Sequence, residues 1–314
     1  MQKNVSKSKL IKFVGACLGA VRGLPAYSSK FSRKDFTLKQ HVVLLCLKVK
    51  TKQKYREFCE LLAEMPHVQG LLGLQKIPHW TTLDKAFLRL KNCVFSVLLN
   101  AKPSGFASVD ATGFDRWHAS KHYTKRAKME IKSMKATFLI DTESQKILGM
   151  HCTASRKHDS RIVLPLVQKH RLKVLCADKG YYDKKVRDAL RAHGTRPLIK
   201  HREFRNLHKA WNARIDNALY HQRSKSETVN SVIKRTLSDT LYSRTFWNQR
   251  KELTLLAFVY NVNREIMAFF RGFLRSLALY LFMRSVAARH ISVARTTSLT
   301  FTSARIFSTY SEGL

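Results

Sequence analysis

The sequence predicts a mixed α/β sheet domain preceded by a small helical domain. Three observations carry this reading. Residues 1–103 place apolar side chains at helical spacing, whereas after Pro103, Ser104 and Gly105 the apolar runs shorten to strand length. Those runs come first as a meander and then alternate with helix-patterned segments, the order of a mixed sheet. Two of them give way to an aspartate, Asp110 and Asp178, where a buried strand meets a polar loop.

In the helical part, Thr37–Val49 and Gln53–Met65 repeat apolar residues at helical spacing, and Pro66 ends the second segment. Thr81 or Thr82 is the expected N-cap of a further helix that carries Leu83, Phe87, Leu88, Leu90, Val94 and Leu98. Short helices with basic faces fit a DNA-binding module, and they fit a plain packing domain equally well. Phe106–Val109 reads as a short strand ending at Asp110. Ala136–Ile140 and Ile147–Thr153 read as antiparallel strands joined by a turn at Asp141–Ser144. A helix through Ile162, Val163, Leu166 and Val167, capped by Asp159 or Ser160, leads to a buried strand at Lys173–Ala177. A helix with Val186 and Leu190 stops near Gly194, and Pro197–Ile199 begins another strand. No lysine occurs after Lys251, and beyond Arg264 Ser, Thr and Arg take over. Ile266–Met283 reads as amphipathic, since Arg271 and Arg275 disfavour a membrane span. The domains so predicted are 1–103, 104–264 and a tail at 265–314.

The chain has 58 Lys+Arg against 21 Asp+Glu in 314 residues, a formal net charge of +37 spread along most of its length. Such a surface selects a polyanion, nucleic acid first. Ribosomal and chromatin proteins share the bias, but it leaves apolar strands ending in acids unexplained. Membrane-surface binding would concentrate the charge on one amphipathic element. The six cysteines include no C-x2-C pair, which disfavours structural zinc and a disulfide scaffold, and the basic start with Lys12 inside Ile11–Ala20 does not read as a signal peptide.

Scarce acids in a basic chain each need a reason. Asp110 and Asp178, each followed within three residues by glycine (Gly113, Gly180), fit divalent-metal ligands at the ends of adjacent strands. Each also has a plain reading, Asp110 as a strand-end turn residue and Asp178 as a helix cap. Asp115 reads as a partner of Arg116 or Lys121, Asp159 as a cap, and Asp141 and Glu143 as turn residues. His118, His122, His151 and His158 form no zinc motif. The most informative cluster is Tyr220, Arg223, Glu227 and Lys234. At about 100° per helical residue these fall near 0°, −60°, −20° and −40°, one narrow face with a single carboxylate among cations. An apolar core stripe or a solvated ion-pair face would be composed differently.

The ordered set D-A-T-G-F (Asp110–Phe114), A-D-K-G-Y-Y (Ala177–Tyr182) and Y-x2-R-x3-E-x6-K (Tyr220–Lys234) resembles the DDE transposases of prokaryotic insertion sequences, groups four and five. Y-N-V-N-R at Tyr260–Arg264 is similar to the end of that domain, so the resemblance spans Gly105–Arg264. It implies a ribonuclease H-like catalytic domain in which Asp110, Asp178 and Glu227 form the catalytic, metal-binding triad. Mg²⁺ is the implied cofactor, as two ions, with Mn²⁺ able to substitute. Tyr220, Arg223 and Lys234 would contact transposon-end DNA, and the basic stretch with Arg202, Arg205, Lys209, Trp211 and Arg214 would be a DNA-contacting insertion. The implied activity is cleavage at the element's ends and strand transfer into target DNA. The implied partners are double-stranded DNA and a second copy in a synaptic homodimer, with no membrane, in a cytoplasmic, nucleoid-associated setting. The alternatives are a nuclease that does not join strands and a catalytically inactive, transposase-derived DNA-binding protein. The short interval between Asp178 and Glu227 departs from members with a large β-rich insertion, and the tail after Arg264 has no counterpart in the resemblance.

Overall fold

The structure is a computed structural model that describes residues 8–31, 33–117, 126, 133–154, 158 and 160–269. The predicted roles of His118, Lys121, His122 and Asp159, and the tail from residue 270, lie outside the described residues. Two compact units divide the chain, Met1–Arg264 and Glu265–Leu314; of the second, 265–269 are described and are helical.

The first unit opens with six helices: α1 (Lys9–Ala20), α2 (Leu38–Thr51), α3 (Tyr55–Ala63), α4 (Pro66–Leu72), α5 (Trp80–Arg89) and α6 (Asn92–Val97). Helix α2 is the central one, because Val42 through Leu47 are all buried, which only a helix surrounded on every side allows. Its start is a reciprocal capping box: Gln40 N donates to Thr37 Oγ1 and Thr37 N donates to Gln40 Oε1 at 2.7 Å. Pro66 does follow α3, yet it also opens α4, where a first-turn proline loses no helical hydrogen bond. The cap expected at Thr81 or Thr82 falls instead at His79, whose Nδ1 lies 2.8 Å from Thr81 Oγ1, so both threonines are inside α5.

Among the described residues six strands follow: β1 (Phe106–Arg116), β2 (Met134–Asp141), β3 (Ile147–Thr153), β4 (Val174–Ala177), β5 (Arg196–Ile199) and the two-residue β6 (Thr240–Leu241). The sheet order is β3-β2-β1-β4-β5, with β6 beside β1. The meander β1-β2-β3 is antiparallel, and β4 and β5 add in parallel. This is the ribonuclease H-like arrangement. Strand β1 does not end at Asp110: its pairing with β2 continues to Phe114 and its last residues pair with β6. Only its parallel pairing with β4 stops, at Val109 opposite Ala177. Gly113 is therefore strand rather than turn, and a Cβ there would sit 3.0 Å from Ser133 Oγ.

Alternation along the strands sorts the two faces. Ala107, Val109, Leu175 and Ala177 pack against α7 (Ser160–Val167) and α8 (Lys184–Ala192) through Val163, Val167, Val186 and Leu190. Val174, Cys176 and Leu198 point the other way and pack against Tyr220 of α10 (Asn217–His221). By the same parity Asp110 and Asp178 belong to this second face. Helix α9 (Asn206–Ala213) precedes α10, and α11 (Ser224–Thr236) follows it.

Helix α12 over residues 246–264 brings the unit together. Its Asn261 donates to Ile147 O at 2.8 Å and accepts from Ile147 N at 2.7 Å, completing the backbone of β3 beside the register shift at Leu139/Ile140. Asn263 accepts from Lys50 of α2 at 2.7 Å, and Arg264 donates to Ser144 O at 3.3 Å. The Y-N-V-N-R sequence thus acts as a structural clasp between the hairpin and the helical layer. Cys17, Cys46, Cys59, Cys152 and Cys176 are free, and all but Cys59 are buried.

Candidate active site

Asp110 and Asp178 stand next to each other because β1 and β4 are in parallel register one residue earlier, Val109 against Ala177. Both are half-buried. Asp178 occupies the N-cap position of the 3-10 turn Lys179–Tyr181 but makes no capping hydrogen bond, so capping does not account for its carboxylate. Asp183, five residues on, does cap α8, accepting from Lys185 N at 2.9 Å.

Helix α11 crosses this pair. Glu227 lies in its first turn and accepts from Arg223 Nη1 at 2.5 Å. One turn on, Asn230 Nδ2 donates to Asp110 Oδ2 at 2.9 Å. Sequence reasoning missed Asn230, although it lies three residues after Glu227 and seven after Arg223, spacings that return to the same helix face. The residue is buried, and its Oδ1 has no hydrogen-bond partner. Burial raises the Asp110 carboxyl above its usual pKa, and the charge of Glu227 adds to that rise. The Ala111 N–H, Arg223 and Asn230 oppose it without cancelling it. Arg223 is held even more firmly charged than usual: burial works against its charge, but Glu227, Tyr220 and Asp178 outweigh that cost.

The single helix predicted from Tyr220 to Lys234 is two. Helix α10 ends at His221, and the step to α11 runs through i→i+3 bonds, Arg223 N to Tyr220 O and Ser226 N to Arg223 O. That tighter winding turns Tyr220 inward. Its side chain is buried on the sheet beneath Lys200, whose Nζ is 4.6 Å from the ring. Lys234 is half-buried with Nζ 5.5 Å from the Phe114 ring. Arg202, Arg205, Lys209, Trp211 and Arg214 are all exposed, on or flanking α9. That segment is ordered by Asn212, which accepts from His201 N at 2.8 Å and donates to His201 O at 3.1 Å. Between α8 and α9, Tyr182, Arg187, His201, His208 and Trp211 line a cleft of about 300 Å³.

Among the described residues, no three His, Cys, Asp or Glu side chains stand close enough together to hold a metal ion. The donor chemistry nevertheless fits a hard divalent cation. Asp110 carries a raised pKa that a cation would relieve, Glu227 contributes to that rise, and the available atoms are carboxylate oxygens. Glu227 is held in its ion pair with Arg223.

The family described as transposase DDE domain matches residues 102–262, and the chain belongs to that family. No curated protein matches. Among solved structures, the chain is similar to the piggyBac transposase synaptic complex with hairpin DNA at TM-score 0.47 and 8% identity, covering 82% of this chain and 71% of that one. It is also similar to the simian T-cell lymphotropic virus intasome in complex with PP2A regulatory subunit B56 gamma, at TM-score 0.28 and 11% identity over 57% of each chain.

Proposed function

We propose that this chain is a DNA transposase that cleaves at the ends of its element and joins the freed 3′ ends to target DNA. The observation that carries the reading is the juxtaposition of Asp110 and Asp178 beneath a helix that presents Glu227 and is tied to Asp110 through Asn230. In this reading Asp110, Asp178 and Glu227 hold Mg²⁺, as two ions, or Mn²⁺ in its place. Ions held there would supply activation of the attacking water or hydroxyl and stabilisation of the leaving 3′-oxygen.

The rest is done by the chain's own groups. Asn230 orients the Asp110 carboxylate by donating to its Oδ2. Arg223 and Lys234 hold phosphates of the strand being cut, Arg223 with the planar fork that suits an oxyanion. Tyr220, buried under Lys200, supports the floor on which these cations sit. Arg202, Arg205, Lys209, Trp211 and Arg214 line an exposed basic ridge that follows the duplex without reading its sequence. A second copy completes a synaptic pair, and the setting is cytoplasmic and nucleoid-associated. Among the described residues no helix is long and apolar enough to cross a membrane.

The test is a cleavage-and-joining assay on the DNA that flanks the gene, with Mg²⁺ or Mn²⁺. Wild-type chain is expected to cut at the element ends and join pre-cleaved ends to a target, and Glu227→Gln to do neither while still binding DNA. Cutting without joining would make the chain a nuclease. DNA binding with no cutting in either metal would make it a non-catalytic binder, a reading that the engaged state of Glu227 favours.

A further inference from the structure

Glu227 is committed to an ion pair whose arrangement serves the helix poorly. Arg223 occupies the N-cap position of α11 and makes no capping hydrogen bond, so a cation faces the positive end of the helix dipole. The pair also runs in the less favourable order, with the cation four residues before the acid. Helix stability therefore does not account for Arg223 at this position. Its contact with Glu227 has a clear consequence for the site. A guanidinium hydrogen-bonded to one carboxylate oxygen occupies a lone pair that a metal would need and repels any dication brought to that carboxylate.

The competitor that could release Glu227 is the substrate itself. The Arg223 side chain is 26% exposed and that of Glu227 53%, so neither is sealed off. A phosphate offers the guanidinium the same two-oxygen geometry as a carboxylate, and DNA supplies it on a surface of net charge +37 that draws DNA in. We propose that Arg223 gates metal loading: it holds Glu227 in the DNA-free chain and hands it to the metal when a DNA phosphate takes the guanidinium. Arg223 is then a positioning residue as well as a phosphate contact, and the cutting centre assembles only where DNA is bound. The proposal rests on the transposase reading, because it needs Glu227 as a metal ligand.

The test follows Mn²⁺ binding to the full chain by the paramagnetic resonance signal of free Mn²⁺, without DNA. Wild type is expected to bind weakly. Arg223→Gln and Arg223→Ala are expected to bind about two- to fivefold tighter, the factor that loss of one partly exposed competing ion pair returns. Adding Glu227→Gln to Arg223→Gln should remove the gain, and circular dichroism melts establish that each variant is folded. Duplex DNA should tighten Mn²⁺ binding to wild type but not further to Arg223→Gln, after subtraction of Mn²⁺ held by the duplex alone. Equal binding by wild type and both Arg223 variants, lost on Asp110→Asn, overturns the gate and leaves the metal site standing. Binding that is absent throughout, or that survives Asp110→Asn, overturns the gate together with the metal reading.

Discussion

Asp141 and Asp110 lie three residues apart along the same pair of strands, since Asp141 pairs with Ala107 of β1, and their surroundings are opposite. Asp141 is buried, yet each of its oxygens accepts two hydrogen bonds. Oδ1 takes the N–H and hydroxyl of Ser104, and Oδ2 those of Ser144, at 2.6–2.8 Å. Burial alone would raise its pKa, but these donors outweigh it and hold the carboxyl below its usual value. Asp110 has the Ala111 N–H and Asn230 as donors, has Glu227 nearby, and stays raised. The first acid is finished by the protein and serves the hairpin turn. The second is left with fewer donors, and in the proposed function that leaves it available to a cation. The two carboxylates differ in how many donors they have rather than in exposure alone.

The comparison can be broken from either side. The largest expected effect is on chemistry: Asp178→Asn should lower cleavage by about 10³-fold or more, about 4 kcal/mol of transition-state stabilisation, with DNA affinity kept. Full activity in that variant would remove Asp178 from the site. Next comes stability. Asp141→Ala strands four donors, two of them backbone or hydroxyl groups of Ser104, and should cost about 3 kcal/mol, or roughly 5–10 °C in melting temperature. Its contribution is present above the usual carboxylate pKa and is lost as pH falls through the lowered folded value, so the gap to wild type should close in acid. A gap that persists unchanged at low pH would mean that packing, not the carboxylate, is what was lost.

Lys234→Ala should reduce DNA affinity severalfold and lower the slope of log affinity against log salt by about one. An unchanged slope would place Lys234 in packing on Phe114 alone. The smallest effect is the mirror of Asp141. Because the folded pKa of Asp110 is raised, a stability cost builds as pH rises from the usual carboxylate value towards the raised folded value and is complete above it. Asp110→Asn, which can still accept from Asn230, should therefore raise the melting temperature at pH 7 by about 2 °C. The advantage should vanish in acid, where the wild-type carboxyl is protonated as well.

Much of this was legible in the sequence because apolar runs that bury on both faces have few alternatives. The runs at Ala136–Ile140, Ile147–Thr153 and Lys173–Ala177 announced β2, β3 and β4, and the runs at Phe106–Val109 and Lys173–Ala177 give way to the aspartates Asp110 and Asp178. The second half of β1 was not legible, since Ala111–Arg116 is held by pairing to β2 and β6 rather than by its own pattern. A two-residue strand such as β6 leaves no periodic signal at all. Thr81 and Thr82 had the chemistry of caps, but the chain had already entered the helix at Trp80. At the site, uniform helical rotation from Tyr220 to Lys234 missed the tighter step at Arg223, and with it the burial of Tyr220. Asn230 was visible by spacing, but an uncharged amide draws no attention until its partner's position is known.

One paired measurement bears most directly on the contrast between a satisfied and an unsatisfied acid. Metal-dependent cleavage of end-labelled flanking DNA is compared for wild type, Asp110→Asn and Asp141→Asn in Mn²⁺, below all three melting temperatures. Asp110→Asn should lose about 10³-fold or more in rate, while Asp141→Asn, though less stable, stays within a few fold of wild type. Cleavage by Asp110→Asn at the wild-type rate, or a loss in Asp141→Asn as deep as that in Asp110→Asn, would contradict the account.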